Sequence, residues 1–127
     1  MDQYTLMCSK LDELQREHKL VSDEDKVWMD VGDGIICTYV SAYPRKYKVV
    51  WLPTLEQMIG MIPESNGWVL NYVDKSINKI PYEVWVENDF EDRSFWDKDI
   101  KIAMIQALAW FKWGKEWDEE KQEWIKR

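Results

Sequence analysis

The stretch DKDIKIAMIQALAWFKWG, Asp97 to Gly114, decides the fold. Ile100, Ile102, Met104, Ile105, Leu108, Trp110, Phe111 and Trp113, with the alanines between them, cover nearly the whole circumference of a helix. A helix apolar all round has to be covered on several sides. Asp97 and Asp99 stand near its positive N-terminal end, Lys112 near its negative end, and Gly114 is placed to terminate it. The segment therefore predicts a buried helix over 97–113, either central to the fold or shared with a second copy of the chain.

Cover for that helix must come from the rest of the 127 residues, a length that suits one domain. Tyr4, Met7, Leu11, Leu14 and His18 recur at steps of three and four, which predicts a first helix over about residues 4–20 with a polar outer side. Val27-Trp28-Met29, Ile35 to Val40 and Tyr47 to Trp51 are rich in β-branched and aromatic residues. Gly32-Asp33-Gly34 and Tyr43-Pro44-Arg45 separate them with turn chemistry. They read as three strands of an antiparallel meander.

Thr54 and Gln57 have the spacing of a capping box, and Leu55, Met58, Ile59 and Ile62 lie on one side of a short helix that Pro63 stops. Trp68 to Val73, after a turn at Ser65-Asn66-Gly67, and Tyr82 to Glu87 read as further strands. In the second, Glu83, Trp85 and Glu87 share one face. The tail from Trp117 to Trp124 reads as a small hairpin. The expected fold is a single α+β domain over 1–127, a small antiparallel sheet packed against an N-terminal helix, a short middle helix and a buried apolar C-terminal helix.

Composition narrows the chemistry. Twenty-four acids against 17 bases give a formal net charge of −7, which disfavours direct binding to nucleic acid or an anionic membrane. The N-terminus interleaves charges with apolar residues and lacks the pattern of a secretory signal. The apolar run Ile102 to Phe111 is about half of what a bilayer requires. Cys8 and Cys37 read as buried free thiols, in keeping with a reduced, cytoplasmic setting.

A single histidine, His18, rules out a histidine-based triad or a histidine-rich zinc site, and its place on the first helical stripe reads as packing. No glycine pattern cradles a phosphate and no EF-hand order occurs. Glu87, Asp89, Glu91 and Asp92 read as solvated loop charge. No catalytic, metal-binding or cofactor-binding residue is assigned, and no cofactor is expected.

Nine tryptophans are the most unusual feature. Most belong to predicted strands or the apolar helix, whereas Trp85, Trp96, Trp117 and Trp124 are flanked by charge and are expected at the surface. With Glu87 and Asp89 they form the candidate set for binding a protein partner, since exposed tryptophans rimmed by polar groups are common interface anchors. Two alternatives follow from the same residues. One is a small enzyme or ligand-binding domain with a carboxylate and tryptophan cleft. The other is a structural subunit that forms a homo-oligomer through the C-terminal helix.

Val50-Trp51-Leu52-Pro53-Thr54-Leu55-Glu56-Gln57-Met58 resembles the WLPTxxQ strand–helix junction of small uncharacterised proteins encoded by bacteriophages and prophages. Ala107 to Trp113, followed by Trp117-Asp118 and Trp124, resembles the tryptophan-bearing C-terminal helix and end of the same group. The resemblance implies a phage or mobile-element accessory protein acting inside a bacterial cell and brings no catalytic residues with it. Its acidic, aromatic surface is what an inhibitor of a nucleic-acid-binding host defence factor would present, carboxylates standing in for phosphates.

Overall fold

The computed structural model describes residues 1–21, 24–39, 47–62, 67–72, 80–88 and 90–127. The chain divides into two compact units, Met1–Thr54 and Leu55–Arg127, each mixing helices with antiparallel strands. The turn expected at Tyr43-Pro44-Arg45, the strand ends Val40 and Val73, the turn residues Ser65 and Asn66, the helix stop Pro63 and the candidate Asp89 lie outside the described residues.

In the first unit the expected helix over 4–20 is two shorter ones, α1 (Gln3–Lys10) and α2 (Asp12–Glu17), and His18 lies just beyond the second. Asp2 caps α1 by accepting from the Thr5 N–H at 2.7 Å. The helix breaks at Leu11, which leaves the helical region at φ −94° and ψ 86° while its side chain stays fully buried. Gln15 then makes the break productive. Its amide nitrogen donates to the Cys8 carbonyl at 3.0 Å and to the Trp51 carbonyl at 3.0 Å, while its oxygen accepts from the Trp51 N–H at 2.8 Å.

Those Trp51 groups belong to an edge strand. The strands β1 (Lys26–Met29), β2 (Ile35–Thr38) and β3 (Val49–Trp51) form an antiparallel sheet in the order β2-β1-β3, so β1 takes the centre that a meander would give to β2. Burial gives the reason, because Val27 and Met29 are in the core whereas Ile35 and Ile36 are each about half exposed. The Gln15 amide satisfies both backbone groups of Trp51 on the outer edge of β3, much as a neighbouring strand would. Gly34, at φ +84°, is required twice over in the β1–β2 turn: a side chain there would strain the backbone and would also strike the Trp28 indole, 2.5 Å from an added Cβ.

The second unit contains α3 (Leu55–Gly60), β4 (Trp68–Tyr72), β5 (Tyr82–Glu87), β6 (Asp92–Asp97), α4 (Ile100–Trp113), β7 (Lys115–Asp118) and β8 (Glu123–Lys126). The strands β4, β5 and β6 make an antiparallel sheet in sequence order, and β7 pairs with β8 as the expected hairpin. Asp99 caps α4 by accepting from the Lys101 N–H at 2.8 Å, and Gly114 ends it in the left-handed region.

Two parts of this unit correct the sequence reading. The apolar helix, expected over 97–113 as the C-terminal helix, starts only at Ile100, with Asp97 closing β6, and the β7–β8 hairpin rather than the helix ends the fold. The residues from Asp92 to Asp97, which open on the last acid of an expected loop, form a full strand paired along β5. Its Phe95 lies opposite the fully buried Val84.

The apolar circumference of α4 is covered within this unit by β5, β6, β7 and α3. Trp110 shows how closely: the Phe95 ring tilts against it with centroids 6.2 Å apart, and the Arg127 guanidinium lies 4.4 Å from its ring centroid. Cover that the sequence alone allows a second copy to supply is therefore available within one chain.

Replacing Gln15 by alanine leaves the buried Trp51 N–H and carbonyl without their partner, and should lower unfolding stability by about 2 kcal/mol. Urea unfolding of Gln15→Ala checks this, and a change below about 0.5 kcal/mol, the range of an ordinary surface substitution, would contradict it.

Candidate functional site

The two-residue period of a strand sorts the β4-β5-β6 sheet into two faces. Val84 and Val86 turn towards α4 and are fully buried, which sends Glu83, Trp85 and Glu87 to the opposite side. The register carries this alternation to the neighbouring strands. Asn71, Glu83 and Trp96 form one row across the outward face, Val69, Trp85 and Ser94 the next, and Glu87 with Asp92 a third.

Hydrogen bonds fix the rows in place. Glu83 stands at the centre of its row and accepts from the Asn71 side-chain amide at 2.9 Å and from the Ser94 hydroxyl at 2.6 Å, one bond on each carboxylate oxygen. Trp85 donates its indole N–H to Asp92 at 3.1 Å, which ties the ring to the adjacent strand. Glu87 donates its backbone N–H to the Gly67 carbonyl at 3.0 Å, and its side chain lies where a Cβ on Gly67 would come within 3.3 Å of it.

The face is electrostatically one-sided. Glu83, Glu87 and Asp92 receive hydrogen bonds from neutral donors or none, and among the described residues no lysine or arginine pairs with them. Two arginines of this unit are committed elsewhere: Arg93 points to the helix side and pairs with Glu116, and Arg127 bonds Glu91 at 2.6 Å. Negative charge is thus presented beside two indole rings.

At the end of the β5–β6 hairpin, Asn88 accepts from the backbone N–H groups of Phe90 at 2.9 Å and Glu91 at 3.0 Å, and its own N–H donates to the Glu91 carbonyl. This arrangement holds out Phe90, which is 95% exposed. An aromatic side chain so fully in water next to Glu87, Glu91 and Asp92 contributes nothing to the core.

The candidates named from sequence thus separate into two groups. Trp85, Glu87 and Trp96 share the outward face, and Trp96, 42% exposed, is the most open of the four charge-flanked tryptophans. Trp117 and Trp124 pair across the β7–β8 hairpin in an edge-to-face contact with centroids 5.2 Å apart. They and Trp85 are half-buried, contrary to the expected exposure, because each ring lies against a neighbour on its own sheet.

Sequence reasoning puts Glu83 on one face with Trp85 and Glu87 but misses Asn71 and Ser94 as members of this surface and Phe90 at the hairpin tip. The alternation Asp92, Ser94, Trp96 carries the signal, but it becomes readable only once residues 92–97 are recognised as a strand.

The other residues singled out from the sequence have structural roles. His18 bonds the buried Asp25 at 2.7 Å and stacks on Trp51 at 3.9 Å, so it is held on both its edge and its face. Asp25 also accepts from the Val21 N–H at 2.5 Å. Cys8 is buried as expected, whereas Cys37 is only half-buried, and neither forms a disulfide. Among the described residues no cluster of His, Cys, Asp and Glu could hold a metal ion, and no helix is long and apolar enough to cross a membrane. No family model, curated protein or solved structure matches the chain.

Phe90→Ala should leave unfolding stability within about 0.5 kcal/mol of the parent, whereas Trp110→Ala should cost about 3–5 kcal/mol. Thermal and urea unfolding of the two variants separate the exposed aromatic from the core one, and a loss above about 1 kcal/mol at Phe90 would show that it is a packing residue.

Proposed function

We propose that this protein is a non-enzymatic accessory protein that binds another protein through the outward face of the β4-β5-β6 sheet. The observation that carries this reading is the combination on one face of Trp85 and Trp96 with Glu83, Glu87 and Asp92, carboxylates without a cationic partner among the described residues. Tryptophans supply large apolar contact at low entropic cost, and an acidic rim selects a basic partner and speeds its encounter. Phe90 adds an exposed ring at the tip of the adjoining β5–β6 hairpin.

The resemblance of the WLPT junction to phage-encoded proteins supplies the setting, a bacterial cell carrying a phage or mobile element. A nucleic-acid-binding protein of that host is the narrower form of this reading, because such proteins carry the basic surface that the acidic face complements.

Capture from bacterial lysate with the tagged protein and with a Trp85→Ala, Trp96→Ala, Glu87→Ala variant tests the reading. One or more proteins should be retained about tenfold less by the variant and be released by salt, while circular dichroism shows the variant folded. An identical set of proteins retained by both would overturn the assignment of this face.

A further inference from the structure

Resting on the protein-binding reading, we propose that the occupant of this face is an extended segment bearing arginines about four residues apart, one of which seats its guanidinium at Glu83 between Trp85 and Trp96. The grid of side chains sets this requirement. Glu83 lies directly across from Trp96 and two residues along β5 from Trp85, so the three side chains spring from neighbouring positions on one face, about 5–8 Å apart at their Cβ atoms. A cation that enters there meets ring and carboxylate together.

Arginine fits that arrangement and lysine does not fit it as well. A guanidinium is planar, stacks on an indole face, and presents parallel N–H groups to a carboxylate in its own plane. Glu83 is prepared for this. Each of its oxygens already accepts one hydrogen bond, from Asn71 and from Ser94, and each retains a further lone pair for a second donor. The carboxylate is therefore immobilised by neutral groups while its charge stays available. An ammonium group, compact and strongly hydrated, gains the Coulomb attraction but neither the stacking nor the paired bonds.

The spacing comes from the acids. Glu83 and Glu87 are four residues apart on β5, about 13 Å at the rise of an extended chain, and Asp92 lies directly across from Glu87. An extended segment running along β5 presents arginines at matching separation to Glu83 and to the Glu87 and Asp92 pair. Trp85, tied to Asp92 through its indole N–H, stands between the two sites.

Calorimetric titration of the full chain with a synthetic 12-residue peptide, arginine at every fourth position and glycine or serine elsewhere, tests the proposal against a lysine counterpart of equal charge. The arginine peptide should bind at least about fivefold more tightly than the lysine peptide. Glu83→Gln, which keeps the shape of the side chain and removes its charge, should abolish that preference without changing the thermal unfolding midpoint. Equal affinity for the two peptides, or no binding of either, would overturn the inference. If the peptide fails while capture still depends on Trp85, Trp96 and Glu87, only the arginine assignment falls; failure of both experiments removes the protein-binding reading beneath it.

Discussion

The apolar circumference of α4 is the constraint on which the second unit depends. Val84 and Val86 are drawn onto that helix, and the two-residue period of β5 then leaves Glu83, Trp85 and Glu87 no position but the opposite face. The pairing of β4 and β6 with β5 extends the separation, apolar side chains towards α4 and acids with indoles away from it. The outward surface is the reverse side of a packing solution. A substitution that loosens α4 would act on the face indirectly, through the register of the strands.

The same division explains why the aromatic residues of this unit have different roles. Trp110 is held between Phe95 and Arg127 and belongs to the core, whereas Trp96 stands on the outward face and Phe90 is held out at the hairpin tip by the Asn88 turn. Trp117 and Trp124 serve each other, edge to face, across a hairpin that Arg127 closes onto Gly114 through its backbone N–H at 3.0 Å. Charge follows a similar logic. Arg93 and Arg127 neutralise Glu116 and Glu91 away from the outward face, which leaves Glu83, Glu87 and Asp92 with neutral donors or none among the described residues.

Much of this is legible in the sequence where a local pattern suffices. The β5 strand, the α4 helix with its glycine stop and the terminal hairpin each carry their own periodicity or turn chemistry; β5 and the hairpin lie where the residues indicate, and α4 ends where expected but starts at Ile100 instead of Asp97. The break at Leu11 is not legible, because the apolar stripe runs through it unchanged and only the Gln15 contacts reveal it. The central place of β1 depends on which strand buries its residues, a tertiary outcome. The strand β6 is hidden by its acidic ends, which have low strand propensity until β5 supplies a partner. Without β6, Trp85 and Trp96 have no common face, and the central place of Glu83 cannot be read. His18 packs as its helical stripe indicates, but its partner Asp25 comes from a connection that no periodicity marks.

The most direct measurement is a two-dimensional NMR titration that follows the indole N–H resonances of the nine tryptophans while the arginine peptide is added. Shifts centred on Trp85 and Trp96, with buried Trp51 and Trp110 unmoved, are the expected result for a cationic segment seated on the outward face. Shifts confined to Trp117 and Trp124, or spread evenly over all nine, would contradict it and place binding elsewhere.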